Sequence, residues 1–124
     1  FIKKARRVRK VFGGGMRQAG IIAAGGLYAL KNNIDRLKTD HIHASLIEKS
    51  LQSSNPVKSV IPVETNIVVF ELNEHSRVNE YLETLAQHEI HALPFGKGMI
   101  RMVTHRDVNE TSIQKTCECI ESIV

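Results

Sequence analysis

Three glycines, Gly13 to Gly15, separate a basic stretch from an apolar segment that begins near Arg17. Glycine has no Cβ, so the backbone can bend sharply here and bring its N–H groups close to another group. If a helix begins at Arg17, its unpaired N–H groups favour an anion, and the guanidinium adds positive charge. A cation at a helix start is otherwise unfavourable. The pattern therefore predicts an anionic partner for Arg17, the alternative being an arginine that faces solvent or an acidic neighbour.

A second arginine lies in a predicted strand over residues 99–104. Alternation along a strand places Ile100 and Met102 on one face and Arg101 and Val103 on the other, so Arg101 leaves the core side. Most strand arginines in such positions are solvent-facing charges. A planar guanidinium can also bind a carboxylate through two parallel hydrogen bonds. The residue types alone leave both interpretations open.

The histidines form no pair with metal-ligand spacing. His41 and His43 lie two positions apart on a predicted helix and face different directions. His105 follows the strand of Arg101, where we expect it to hydrogen-bond the turn at Asp107, with a supporting role near Arg101 as the alternative. We interpret the remaining three as loop or helix-end residues: His75, His88 and His91.

The two cysteines, Cys117 and Cys119, are also two positions apart on a predicted helix. Their side chains point about 200° from one another, so they cannot form a disulfide together. Reduced thiols favour a cytoplasmic protein. Cys117 falls on the apolar stripe of its helix, so we expect it in the core and expect no metal site.

Two blocks of sequence resemble signatures of the low-specificity L-threonine aldolases. The first reads Arg-Lys-x-x-Gly-Gly-Gly-Met-Arg-Gln-Ala-Gly over residues 9–20 and is followed by Leu-Tyr-Ala-Leu at 27–30. The second reads Arg-x-Val-Thr-His-x-Asp-Val over residues 101–108. Residues 32–36 and 40–41 are also similar, so the likeness spans nearly the whole chain. The chain resembles the C-terminal portion of these fold-type-I enzymes, which use pyridoxal 5'-phosphate to cleave L-threonine or L-allo-threonine to glycine and acetaldehyde.

The resemblance implies roles for three residues. The arginine that matches Arg101 holds the α-carboxylate of the amino-acid substrate, and those that match Arg17 and Lys10 lie around the cofactor phosphate. The family's Schiff-base lysine stands in a Ser-Lys-Gly stretch that would precede Phe1, and Lys97 does not match it. We therefore expect no catalytic residue here, no activity of these 124 residues alone, and a homodimer or homotetramer of the full-length parent enzyme.

The charge of the chain is uneven. Residues 1–34 carry eight Lys or Arg and no Asp or Glu, whereas the rest carries nine basic and thirteen acidic residues. A basic segment of this kind can bind nucleic acid, but few aromatic residues accompany it for base stacking. We expect no nucleic-acid partner. Two alternatives to an aldolase remain: another β-eliminating lyase of the same fold, or a basic module that binds RNA or an acidic protein.

Length and composition suit one globular protein. Hydrophobic residues make up 42% of the chain and charged residues 24%, which favours a packed core over disorder. The longest apolar stretch, residues 19–30, is about half of what a bilayer-spanning helix needs, and it does not show the pattern of a signal peptide. We expect no membrane segment. The first residue is Phe1 instead of Met, which indicates a piece of a longer chain.

The hydrophobic spacing predicts three helices followed by elements in the order β-β-α-β-β-α. The expected fold is α+β, with a small antiparallel or mixed sheet and helices on one face. The helix over residues 17–30 is apolar nearly all round and rich in small residues, so we expect it to be buried between domains or subunits. The domains are expected to be residues 1–31, helices linking from a large domain, and residues 32–124, a small α/β domain. The later strands are expected at residues 57–62, 65–72, 90–93 and 99–104. Ser76 is expected to cap a helix with Val78, Tyr81, Leu82, Leu85 and Ala86 on one face, and a last helix is expected over residues 110–123.

Overall fold

The computed structural model describes residues 1–123, and the chain divides into two units, Phe1–Asp35 and a second that begins at Arg36. Each unit is described by itself. The first contains helices α1 (Ile2–Val11) and α2 (Gly20–Asn32). No residue of either helix is buried. The packing that holds a core together therefore lies in the second unit.

The glycine run ends α1. Gly13 has a left-handed backbone with φ of 84°, and its N–H donates to the carbonyl of Lys10 at 3.3 Å. The N–H of Gly14 donates to the carbonyl of Arg9 at 2.8 Å. These two bonds form the Schellman motif that commonly closes a helix. A Cβ at Gly14 would lie 2.7 Å from Cγ of Arg9, so the close approach also requires glycine.

The prediction that the next helix begins at Arg17 is wrong. Gln18 has a φ of 47°, which interrupts helical geometry, and α2 begins at Gly20. Arg17 therefore lies in the turn before α2. The apolar side chains of α2 are exposed, with Ile21 at 78% and Leu30 at 67%. That this helix packs against a partner stays a prediction.

The second unit confirms the predicted order of elements and the fold class. Its elements are α3 (Leu37–Gln52), β1 (Val57–Val60), β2 (Ile67–Leu72), α4 (Val78–Gln87), β3 (Leu93–Pro94), β4 (Met99–Val103) and α5 (Glu110–Ser122). The sheet has the strand order β1-β2-β4-β3, and all three strand pairs are antiparallel. Helix α4 follows a short 3₁₀ turn at residues 75–77, so Ser76 does not cap it as expected.

The strand predicted at residues 90–93 is shorter and begins later in the chain, because residues 89 and 90 form the end of α4. Glu89 has a φ of 62°, and its N–H donates to the carbonyl of Ala86 at 3.0 Å. The N–H of Ile90 donates to the carbonyl of Leu85 at 3.0 Å. This is a second Schellman pattern, built without glycine. Ile90 thus belongs to the helix end, and β3 is limited to Leu93–Pro94.

One face of the sheet builds the core. The alternate residues of β2 and β4 that point to this face are buried against α3, α4 and α5, which confirms helices on one face and the predicted alternation of β4. The cysteines differ from expectation: Cys119 is buried, while Cys117 packs at the edge of the core and is half-buried. The buried core residues are Ala44, Ile47, Leu51, Val68, Phe70, Leu72, Tyr81, Leu85, Ile100, Met102, Ile113, Cys119 and Ile120.

Tyr81 provides a test of this core. Its ring meets Phe70 edge to face at 5.7 Å, and its hydroxyl is buried beside the side chain of Ser54. Burial raises the pKa of Tyr81 to about 12. The folded state therefore holds this proton to higher pH than the unfolded state does. The stability that this shift supplies is full below pH 10 and is lost as the pH rises from 10 to 12.

We predict that Tyr81→Phe changes the free energy of unfolding at pH 7 by no more than about 1 kcal/mol, because the hydroxyl has only its contact with Ser54 to lose. As the pH rises from 10 to 12, the free energy of unfolding of the native chain should fall by on the order of 2 kcal/mol, and that of the variant should not show this fall. Denaturant unfolding at a series of pH values measures both. Tyr28→Phe, at a tyrosine that is 59% exposed, is the control and should follow the native curve. A variant curve that falls as steeply as the native one would contradict the prediction.

Candidate functional site

Arg101 lies on the sheet face that no helix of its unit covers. It stands in β4 between two antiparallel neighbours, with Val69 opposite it on β2 and Leu93 opposite it on β3. Val69 is buried and Leu93 is exposed. Arg101 itself is half-buried, since its aliphatic stem lies along these apolar neighbours while its charged head can reach the surface. The predicted direction of this side chain, away from the core, is confirmed.

The guanidinium of Arg101 has an aromatic neighbour and no acidic one. Its central carbon lies 5.5 Å from the centroid of the Phe95 ring, in cation–π range. Its Nε is buried and has no hydrogen-bond partner within residues 1–123, and no ion pair is formed with a carboxylate of that part of the chain. Nε itself is enclosed, so only the terminal nitrogens of the guanidinium can donate to a group from outside the unit.

A tight loop over residues 95–98 places Phe95 beside Arg101. The N–H of Phe95 donates to the carbonyl of Met99 at 2.8 Å, which closes the loop between β3 and β4. Gly96 and Gly98 both have left-handed backbones, with φ of 72° and 77°. The carbonyl of Gly98 accepts the N–H of Leu72 at 3.0 Å, which ties the loop to β2.

Two histidines share an open depression with Arg101. The depression measures about 300 Å³ and is lined by His91, Leu93, Arg101, Val103 and His105, among others. The Nδ1 of His105 accepts the N–H of Asp107 at 3.3 Å, which confirms the predicted turn contact. In a neutral ring this leaves Nε2 as the donor. The sequence alone did not identify His91; the β3–β4 pairing, which is visible as a hairpin pattern, is the signal that places it here.

A buried threonine fixes the end of β4. The hydroxyl of Thr104 donates to the carbonyl of Asp40 at 2.7 Å, and its N–H donates to the carbonyl of Asn66 at 3.0 Å. The Asn66 side chain returns a bond to the carbonyl of Thr104 at 2.8 Å. Asp40, which is buried, is paired with Arg36 at 2.7 Å. Residue type gave no reason to single out Thr104, but it holds β4, and with it Arg101, in register.

A polar cluster borders the loop on the same face of the sheet. Glu71 accepts bonds from Lys58 at 3.0 Å and meets the ring of His75 at 2.8 Å. The bonds from Lys58 and then His75 hold the pKa of Glu71 below its ordinary value. The His75 ring also lies against Gly98, where a Cβ would overlap it. The negative charge of Glu71 is thus balanced by Lys58, and Glu71 is not a counter-ion for Arg101.

The other two predicted site residues belong to the first unit. Lys10 lies in the last turn of α1, and Arg17 lies in the turn before α2; both side chains are exposed. Neither forms an ion pair within residues 1–123. Over the same residues, no group of His, Cys, Asp or Glu side chains is arranged to hold a metal ion. None of the helices described there is both long and apolar enough to span a bilayer.

Comparison with known proteins decides the family. The Beta-eliminating lyase family model matches residues 1–75, more than half of the chain. The chain belongs to the β-eliminating lyase family. The match covers the glycine run, α3 and the first two strands, while Arg101 lies beyond it.

Named relatives of this lyase-family chain extend the match across both units. It is 32% identical over 124 residues to "Low-specificity L-threonine aldolase 1" of Arabidopsis thaliana, covering 98% of this chain and 35% of that protein. It is 38% identical over 115 residues to "Low specificity L-threonine aldolase" of Escherichia coli strain K12, covering 91% of this chain and 32% of that protein. The chain therefore spans about a third of the length of the curated relatives it matches.

A solved structure supports the fold of the lyase-family chain independently of close sequence identity. Acetylornithine aminotransferase from Elizabethkingia anophelis matches 68% of this chain with a TM-score of 0.56 and 18% identity. The match covers 23% of the aminotransferase chain. At this identity the likeness shows the fold alone, and it confirms the α+β class expected from the sequence.

We predict that Gly98→Ala destabilises the second unit by at least about 1–2 kcal/mol, because alanine strains the left-handed backbone and its Cβ displaces the His75 ring. Gly25→Ala is the control: its Cβ enters open space within α2, so stability should be unchanged or slightly higher. Denaturant unfolding measures the free energies.

The steric part of this effect can be separated from the backbone part. In the double variant His75→Ala/Gly98→Ala the overlap is gone, so the added cost of Gly98→Ala should fall but not vanish. If Gly98→Ala lowered the free energy of unfolding equally with and without His75, the contact with the His75 ring would not contribute to the effect. No cost at all for Gly98→Ala would contradict the backbone argument.

Proposed function

We propose that the chain is the C-terminal part of a pyridoxal-phosphate-dependent aldehyde-lyase, a threonine aldolase that cleaves L-threonine or L-allo-threonine to glycine and acetaldehyde. The family and the named relatives in two organisms support this reaction. The observation that carries the role of this chain is Arg101, a half-buried guanidinium that has an aromatic support and no carboxylate partner within the described part of the chain.

In this proposal Arg101 binds the α-carboxylate of the substrate. A guanidinium presents paired donors in the geometry of a carboxylate, so two hydrogen bonds fix the orientation of the substrate and not merely its charge. Phe95 covers part of the guanidinium and its Nε is buried, so water is excluded from part of the group, which strengthens its attraction for an anion. Fixing the carboxylate orients the bond between Cα and Cβ, which is positioning and not proton transfer.

The first unit offers groups that fit the cofactor phosphate. Lys10 and Arg17 are exposed cations without ion-pair partners in residues 1–123, in a unit whose only acidic residue is Asp35. We propose that both lie around the phosphate of pyridoxal 5'-phosphate. When bound, this cofactor supplies the electron sink for the cleavage. The fit rests on charge, since the N–H groups of Gly13 and Gly14 already serve the end of α1.

The wider arrangement follows from the same proposal. Residues 1–31 are helices that link to a large domain, and residues 32–124 are the small domain. The exposed apolar side of α2 supports a homodimer or homotetramer of the full-length enzyme, because so much apolar surface is rarely left in water. The two free cysteines support a cytoplasmic location.

We predict that Arg101→Ala lowers kcat/KM about 10- to 100-fold or more in the full-length protein that carries this segment, because charge-assisted bonds to a carboxylate are lost. Arg101→Lys keeps the charge but loses the paired geometry, so its kcat/KM should fall in between. Steady-state assays of glycine and acetaldehyde formation measure this. Cofactor absorbance should be unchanged.

Arg106→Ala is the matched control for these variants, because Arg106 is an exposed arginine close to β4. It should retain native kcat/KM. If Arg101→Ala behaves like Arg106→Ala, then Arg101 is only a solvated charge and the assigned role is wrong. The assay with the native full-length protein tests the aldolase activity separately.

We predict that the 124-residue chain alone does not cleave L-threonine, because the proposal assigns the bond-breaking chemistry to a lysine that no residue of this chain matches. The chain is incubated with pyridoxal 5'-phosphate and L-threonine, and glycine and acetaldehyde are assayed. The full-length protein is the positive control. Turnover by the short chain at the rate of the full-length protein would overturn this division of roles.

A further inference from the structure

The charged head of Arg101 is enclosed on one side and accessible at its outer edge. Its Nε is buried, and its central carbon lies 5.5 Å from the centroid of the Phe95 ring. The two terminal nitrogens are not buried in this way, and neither is hydrogen-bonded to a group in residues 1–123. A carboxylate can therefore approach only the edge that carries these two nitrogens, where parallel N–H donors match its two oxygens.

The Phe95 ring restrains this charged head. Within residues 1–123, Arg101 forms neither an ion pair nor a side-chain hydrogen bond, which are the contacts that usually fix a guanidinium. An arginine side chain without such contacts has considerable rotamer freedom. The cation–π contact opposes that freedom, because the guanidinium loses the attraction of the ring face when it turns away. The orientation of the terminal nitrogens thus depends on the ring.

The position of Phe95 is fixed by the hairpin and not by the core. The N–H of Phe95 donates to the carbonyl of Met99 at 2.8 Å, and the N–H of Leu72 donates to the carbonyl of Gly98 at 3.0 Å. Phe95 is 43% exposed and lies outside the core described above. Packing of the core therefore gives no reason for an aromatic residue at this position, whereas the guanidinium beside it does.

We propose that Phe95 is a positioning residue of the carboxylate site: its ring holds the guanidinium of Arg101 with both terminal nitrogens turned towards the substrate. This role rests on the proposed function, in which Arg101 binds the α-carboxylate. Without the ring the charge remains, but the paired donors are less often in place. The protein should then lose affinity for a ligand with a carboxylate and keep its affinity for one without it.

Glycine and glycinamide form a matched pair of probes, because they share the amino group and differ in the carboxylate. Their dissociation constants are measured from the change in cofactor absorbance of the full-length protein that carries this segment, loaded with pyridoxal 5'-phosphate. Phe95→Leu and Phe95→Met both remove the ring and keep an apolar side chain. In either variant the preference for glycine over glycinamide should fall about 3- to 10-fold. The glycinamide affinity should stay native, which reports that the rest of the site is intact.

Three further variants separate positioning by the ring from a structural effect. Phe95→Tyr keeps the ring face and should keep the native preference. Ile67→Ala shortens another apolar side chain of the same sheet, one with a similar exposure of 46%, and should leave the preference unchanged. In an Arg101→Ala background, Phe95→Leu should have no further effect, because the ring acts through the guanidinium.

The role of Phe95 is wrong if both Phe95→Leu and Phe95→Met keep the native preference for glycine. It is also wrong if glycine and glycinamide lose affinity equally, or if the loss persists in the Arg101→Ala background. The two proposals can fail separately. A preference that Arg101→Ala abolishes and that survives loss of the ring would overturn the role of Phe95 alone, whereas a preference that survives Arg101→Ala would overturn the role of Arg101 and that of Phe95 with it.

Discussion

The antiparallel pairing of β2 with β4 is the constraint on which the second unit depends. Five residue pairs hold it, from Ile67 opposite Val103 to Glu71 opposite Met99. Because side chains alternate across a strand, this one register decides both faces of the sheet together. It sends Ile100 and Met102 into the core and Arg101 to the opposite face. A slip of one residue would bury the guanidinium and expose the core, so the site cannot shift without loss of the fold.

The sequence predicted what depends on periodicity. The order of elements, the alternation in β4 and the apolar faces of the later helices follow from apolar residues spaced two, three or four positions apart. Residues at these spacings share one face of a strand or helix, and that face is the one buried in the core. Prediction from hydrophobic periodicity failed where short-range backbone hydrogen bonds determine the local structure instead. Ile90 looks like the start of a strand, yet its N–H closes α4 at the carbonyl of Leu85. Periodicity also failed for the cysteines: Cys117 lies on the apparent apolar stripe, yet Cys119 is the one buried in the core.

The glycine run shows how one sequence pattern can have two physical explanations. Three glycines before a helix are compatible with an anion cradle, and they are equally compatible with the end of the preceding helix. In this chain the bonds from Gly13 and Gly14 to the last turn of α1 use the N–H groups that a cradle would need. The charges of Lys10 and Arg17 remain, so the proposed contact with the cofactor phosphate rests on these two cations and not on the N–H groups of Gly13 and Gly14.

Arg101 could be placed on a face from the sequence, but its state could not be predicted. Residue type favoured a solvated charge and left a carboxylate ligand as the alternative, and it gave no sign of the loop that brings Phe95 over the guanidinium. That loop depends on the left-handed backbones of Gly96 and Gly98 and on the bond from Leu72 to Gly98. An exposed arginine must lose side-chain freedom when it binds, whereas one whose stem and Nε are already enclosed has lost it on folding. In the proposed role of Arg101, folding of the hairpin therefore meets part of the cost of binding a carboxylate in advance, and a short loop with two glycines matters to the site for that reason.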